Sequence, residues 1–209
     1  MSFIEIPLTN TKGLLHRKLF GVGVNDSTYR VKNKVDGKTI HCPYYSHWKA
    51  MMERCYYEKY QGKHPAYKGC SVVTEWHIFS NFRKWMEDQD WHGKHLDKDI
   101  MEIGNRVYSP DKCVFVTRKL NNLVQGRMAN KTGLPVGVRP VTRNSKYSAK
   151  NVFNGKITHL GVFNTPEGAH QAYLKARVID LYQTSNEQTD LRIRDGVLNR
   201  ALKLNRSIR

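Results

Sequence analysis

The sequence predicts an α+β protein. An N-terminal hairpin and helical region leads into a strand, long turn, strand and short helix, and a three-stranded antiparallel sheet packed on one helix follows. Three observations predict this. Asp36-Gly37 and Asn154-Gly155 each lie between runs of β-forming residues, the strongest short-range hairpin signal. Apolar residues recur at three and four positions through 44–57, and again after Thr74 and Thr165, as in helices with one buried stripe. The polar stretch from Gln125 to Gly133 separates two patterned regions, so two modest cores are expected rather than one.

Charge bounds the partner. The 209 residues carry 35 Lys and Arg against 18 Asp and Glu, a formal net charge of +17, which argues for a polyanion. With no 18-residue apolar run, signal peptide or lipidation motif, the expectation is a soluble cytoplasmic protein that acts on nucleic acid and not on a membrane. Cys42, Cys55, Cys70 and Cys113 stand singly with no CxxC pair, which argues against structural Zn²⁺ and for buried thiols. His41, His47 and His64 lie near them in sequence, which leaves an irregular zinc site open.

Taken in order, residues 1–20 read as a tail or an edge segment. A hairpin follows, with strands ending at Val35 and beginning at Lys38. Arg30, Lys32, Lys34 and Lys38 make it basic, which suits phosphate contact and the solubility of a sheet edge equally. Trp48, Met51, Met52 and Cys55 give a helix over Tyr44–Tyr57 one buried stripe. Tyr60–Gly69 reads as a loop and Gly69–Val73 as a short strand. Thr74 is the expected N-cap of a second helix that buries Trp76, Phe79, Phe82, Trp85 and Met86. With no basic residues interleaved on that stripe, these aromatics read as core rather than as a base-stacking platform.

The stretch from His95 to Asn122 carries the chemistry. Leu96–Ile100 reads as a strand whose alternation puts His95, Asp97 and Asp99 on one face and Leu96, Lys98 and Ile100 on the other. Gly104-Asn105 and Ser109-Pro110-Asp111 are turn signals, Val114–Val116 a second strand, and Thr117 the cap of a helix that carries Asn121 and Asn122. An Asp and an Asn from distant segments can supply the oxygen donors that a hard divalent cation takes. The competing reading is an Asp-Lys-Asp ion-pair cluster that fixes a loop, with Asn121 as a packing residue.

This stretch resembles the HNH (ββα-metal) nucleases, in particular the short HNH proteins of phage genomes, homing endonucleases among them. Leu96-Asp97-Lys98 falls at the family's apolar-Asp-His strand end, and Cys113 to Asn122 looks like its second strand and metal-binding helix. The resemblance implies one Mg²⁺ or Mn²⁺ held by Asp97 and Asn121, and hydrolysis of phosphodiester bonds. Lys98 stands at the family's general-base His and Lys112 at its loop-holding Asn, with Asn105 the alternative loop holder. A lysine ammonium has donors only and suits phosphate better than base work. His95 is therefore the first alternative base and Asp99 an alternative second carboxylate.

In the region from residue 134, Gly137-Val138-Arg139, Lys146–Lys150 and Ile157–Phe163 read as three antiparallel strands joined by an Asn154-Gly155 turn. Thr165 starts a helix with Ala169, Ala172, Tyr173, Ala176 and Ile179 on one stripe, which leaves the other sheet face open. Gly137-Val138-Arg139, Lys146-Tyr147-Ser148-Ala149 and Leu160–Thr165 resemble the Apetala-two/ethylene-response-factor DNA-binding domain. That resemblance implies that the open face enters the major groove of double-stranded DNA, with Arg139, Lys150 and His159 facing the groove. Val141 and Val152 replace two family arginines, and His159 its tryptophan. Arg143 and Lys146 look like additional phosphate contacts. The expected organisation is 1–126 nuclease domain, 127–133 linker, 134–183 DNA-binding domain and 184–209 basic tail with a short amphipathic helix through Val197, Leu198, Ala201, Leu202 and Leu204. The tail's charges suit DNA contact and a solvated face equally.

Overall fold

A computed structural model describes residues 3–9, 18–125, 133–142 and 145–208. The chain is α+β, with small sheets and two compact units. The first unit runs to Asp99 and resumes over Gly104–Phe115; the second takes Ile100–Ile103 and continues from Val116. No helix among the described residues is long and apolar enough to cross a membrane.

In the first unit the N-terminal segment lies along the hairpin as an edge. Pro7 bridges antiparallel to Tyr29, Arg30 N donates to Ile6 O at 2.9 Å, and the Asn33 amide donates to Ile4 O at 2.6 Å. Strands β1 (Lys32–Val35) and β2 (Lys38–His41) pair antiparallel through an Asp36-Gly37 turn. Its φ values, 49° and 73°, are both positive, as a type I′ turn requires. Helix α1 (Pro43–Tyr56) buries Trp48, Met51, Met52 and Cys55, the four residues picked out by spacing. The expected loop 60–69 instead contains α2 (Glu58–Lys63) and a 3₁₀ turn, Pro65–Tyr67. The Tyr60, His64 and Tyr67 rings pack there at tilted angles, with Tyr60 and His64 ring centroids 4.4 Å apart, and this local packing outweighs the Gly and Pro signals.

Strand β3 (Ser71–Val72) precedes a second 3₁₀ turn, Thr74–His77. Thr74 therefore begins that turn and not the helix: α3 (Phe79–Glu87) starts five residues later without a side-chain cap. Trp48 Nε1 donates to Trp76 O at 2.7 Å across the core, so the indole satisfies its polar atom while its rings pack on Phe79. Arg83 of α3 closes the unit's edge with an ion pair to Glu5 at 2.9 Å and its guanidinium over the Tyr29 and Tyr44 rings. Strand β4 (His95–Asp97) and a strand invisible to periodicity, β5 (Val107–Tyr108), come next; β5 pairs parallel with β3. Strand β6 (Val114–Val116) pairs with β4.

Helix α4 (Arg118–Gln125) opens the main part of the second unit. The sequence places the domain division after this helix, but its C-terminal carbonyls belong to the second unit's cations. Arg177 donates to Leu123 O at 2.5 Å and Arg200 to Val124 O at 3.4 Å, satisfying groups that a helix end leaves orphaned. Of the expected linker 127–133, only Gly133 lies among the described residues.

Strands β7 (Val138–Val141), β8 (Lys146–Phe153) and β9 (Lys156–Phe163) form the antiparallel sheet in sequential order, with the Asn154-Gly155 turn at φ 52° and 77°. Pro140 on β7 sits opposite Tyr147. The register shifts between Ala149 and Lys150, where Gly161 accepts a φ of 128°. Helix α5 (Pro166–Asn186) is capped by the Thr165 hydroxyl, which accepts from Gly168 N at 3.1 Å. Ala169 packs on Val138 and Ala149, with Tyr147, Leu160 and Phe163 around them.

Two expectations change. Ile179 is 56% exposed, because the buried side of this stretch of α5 is taken by Arg177, Val178, Asp180 and Leu181. The expected tail from 184 is not separate: α5 runs through to Asn186, and α6 (Leu191–Arg206) packs along it and buries Ile193, Gly196, Val197 and Ala201. The sheet thus has one helix on it and that helix has a second.

Gly137 and Gly62 give opposite stability tests. Gly137 has φ 84° and a Cβ there would lie 2.3 Å from the Tyr173 ring, so Gly137→Ala is expected to cost about 2 kcal/mol or more in urea unfolding. Gly62, in α2 with open space around it, is expected to gain up to about 1 kcal/mol on Gly62→Ala.

Candidate functional site

The expected five-residue strand stops at Asp97. The Asp97 carboxylate accepts from its own chain two residues on, Asp99 N to Oδ1 at 2.8 Å, and this Asx-type turn bends the backbone. The strand ends there, yet Leu96, Lys98 and Ile100 are all buried, as their shared face requires, and the buried Asp97 is the residue that alternation with the exposed His95 does not anticipate. His95, two positions before the buried Asp97, is exposed.

Lys98 and Asn105 then lock the loop. Lys98 Nζ donates to Asp99 Oδ1 at 2.8 Å and to Asn105 O at 2.6 Å, and lies 5.8 Å from the Tyr108 ring centroid. The Asn105 amide returns a hydrogen bond to Lys98 O at 2.8 Å and another to Val107 O at 2.8 Å. Its Oδ1 accepts from Val107 N at 3.1 Å. Within the first unit His95, Asp97, Lys98, Asp99 and Asn105 are thus on one strand end and its loop. The ammonium that the sequence offers to phosphate is committed inside that loop, with its side chain only 6% exposed.

Asn121 belongs to the second unit. Thr117 caps α4, its hydroxyl accepting from Leu120 N at 3.2 Å and its carbonyl from Asn121 N at 2.9 Å, which sets Asn121 in the first turn. Asn121 Oδ1 accepts from Gln125 Nε2 at 2.7 Å on the exposed side of the helix. Asp97 in the first unit and Asn121 in the second each carry a hard oxygen donor of the kind that Mg²⁺ takes, one or two at a time with several waters. Among the described residues no three His, Cys, Asp or Glu side chains gather as a metal set, and all four cysteines are buried free thiols. Burial pushes the Cys55 and Cys113 thiols up to about 12.

Nothing in the sequence pattern connects His47 with this region. Its ring meets Phe115 edge-on, 5.2 Å between centroids at 86°, and lies near Trp91. Burial, reinforced by Arg54 and His95, holds its pKa down at about 4, so it is neutral at pH 7. A long-range packing contact of this kind leaves no local sequence signal.

In the second unit, cross-strand partners share a face. Val138, Ala149 and Tyr147 turn to α5, which leaves Arg139 opposite Ser148, Val141 opposite Lys146, and Lys150 opposite His159 on the open face. Arg139, Lys146, Lys150 and His159 are all exposed, and Ile157 and Val162 are 66% and 50% exposed beside them. Arg143 lies outside the described residues.

Two outcomes test this geometry. Asn105→Ala is expected to cost about 2–3 kcal/mol in urea unfolding and to speed amide exchange at Val107, because it leaves the Lys98 and Val107 backbone groups without partners. The lowered pKa of His47 means the unfolded chain takes the proton first, so its stability contribution is full above about pH 6.5 and is lost as pH falls towards about 4. His47→Gln is expected to flatten melting temperature against pH in that window. Compared with protein-family models, curated proteins and solved structures, the chain finds no match.

Proposed function

We propose that the chain is a metal-dependent DNA endonuclease of the HNH, phage homing type, whose second-unit sheet grips double-stranded DNA. The observation that carries the reading is a buried carboxylate, Asp97, fixed at a strand end by a loop that Asn105 closes, in a chain of net charge +17. Asp97 and Asn121 would hold one Mg²⁺ or Mn²⁺, which supplies charge stabilisation at the leaving oxygen and the phosphorane. Asn105 keeps the Asp97 strand end in register, and Asp99 fixes the Lys98 ammonium beside it. His95 is the group offered as base: it is exposed on β4 and can accept a proton from water, whereas an ammonium cannot. Arg139, Lys146, Lys150 and His159 meet the duplex from the open face, with the exposed Ile157 and Val162 available for apolar contact with thymine methyls.

A second reading has its own observation. Lys98, at the position of the family's base, is held inside the loop by Asp99 and Asn105, which suits a DNA-binding protein that keeps a degenerate HNH scaffold. Nicking of supercoiled plasmid and phage DNA separates the two. The nuclease reading expects cutting in Mg²⁺ or Mn²⁺ that EDTA stops, that Asp97→Ala and Asn121→Ala each lower by roughly 10²-fold or more, and that His95→Ala also lowers. Full activity in both metal-site variants removes the metal site. A gel shift with intact DNA in either metal establishes the second reading.

A further inference from the structure

We infer that the N-terminal hairpin is a second docking site for the phosphate backbone of duplex DNA, carried by the first unit and separate from the open sheet of the second. The inference rests on the DNA reading above but not on cleavage.

In β1, Lys32 and Lys34 alternate with Asn33 and Val35, so the two lysines share one side of the strand while Asn33 is buried on the other, and Arg30 precedes the strand across a bend at Val31. Thr39 sits opposite Lys34 and His41 opposite Lys32, which extends that side across β2. Arg30, Lys32 and Lys34 are exposed and make no ion pair with a carboxylate among the described residues. Together with Ile6, Asn33 and Thr39 they line a cavity of about 410 Å³ open to solvent. The ribbon is braced from behind: Asn33 is tied to Ile4 O and Arg30 N to Ile6 O, so the cations stand on a three-segment platform rather than on a loose hairpin tip.

The shape selects the form of nucleic acid. A strand repeats every two residues at about 6.6 Å, so Lys32 and Lys34 stand at about that spacing beside a backbone that carries one charge per ~1.7 Å of duplex axis. No Phe, Tyr or Trp lies on the cationic side of β1 and β2, so the face lacks the stacking platforms by which single strands are held. A two-stranded ribbon also matches the accessible major groove of B-form DNA, and not the deep, narrow one of A-form RNA. Lysines for edge solubility would need no cavity and no brace.

The test is the salt dependence of binding to a mixed-sequence 30-base-pair duplex by the full chain. Arg30→Ala/Lys32→Ala/Lys34→Ala is expected to lower the slope of log K against log salt by about 2–3, at ~0.9 for each phosphate no longer neutralised. Lys49→Ala/Lys59→Ala/Lys63→Ala, an equal charge loss at exposed positions of the same unit, is expected to lower it by less than about 1. Arg30→Lys/Lys32→Arg/Lys34→Arg is expected to keep the wild-type slope, which guards against misfolding of the alanine variant. Equal slopes for the two alanine triples overturn the proposal, as does a loss confined to single-stranded DNA or duplex RNA. No duplex binding by the wild type overturns the DNA reading with it. A selective slope change in a protein that cuts nothing supports the hairpin site and removes only the nuclease.

Discussion

Lys98 and Asn105 each donate to the other's backbone carbonyl, and the surrounding structure is built on that exchange. A buried ammonium is tolerable only when its donors are satisfied, and here Asp99, the Asn105 carbonyl and the Tyr108 ring share it. The bonds between Asn105 and Val107 carry the constraint into β5. From there the parallel pairing with β3 positions the turn that leads to α3. The ion-pair reading of the Asp-Lys-Asp strand end and the metal reading are therefore compatible: Lys98 and Asp99 fix the loop, and Asp97 is what the loop holds.

The excess positive charge divides into two populations with different work. Arg83, Lys98, Arg177 and Arg200 turn inward, where they pair carboxylates, stack on tyrosines or cap the end of α4. Lys32 and Lys34 in one unit, and Arg139, Lys146 and Lys150 in the other, point to solvent from strand faces, and Arg30 is exposed just before β1. Net charge alone does not separate these groups. Burial and partners do, and the outward group is the one relevant to a polyanion.

What is legible in the sequence follows from what is local. The Asp36-Gly37 and Asn154-Gly155 turns, the Thr117 and Thr165 caps and the stripe of α1 are set by interactions within a few residues, and each stands where the pattern puts it. The strand expected through Leu96–Ile100 is cut short at Asp97, where one side-chain-to-backbone bond, from Asp99 N to Asp97, bends the chain. The two-residue β5 and the docking of α6 depend on contacts with distant partners, such as the approach of Gly196 to Ile100 O that leaves no room for a Cβ. Buried polar residues mislead in the same way. Asn151 donates to Asp180 at 2.7 Å and Arg177 lies 3.6 Å from that carboxylate, so this polar triad takes the side of α5 that periodicity assigns to Ile179.

Pro140 gives the second-unit sheet two unequal borders. Strand β7 carries a residue with no amide hydrogen, so an incoming chain finds an interrupted row of donors there. Strand β9 is eight residues long, contains no proline and pairs only with β8 among the described residues. Strand exchange, or fibre growth from a loosened form of this unit, would therefore start at β9 and propagate in one direction, and Lys156 at the head of that strand is the charge placed to oppose it.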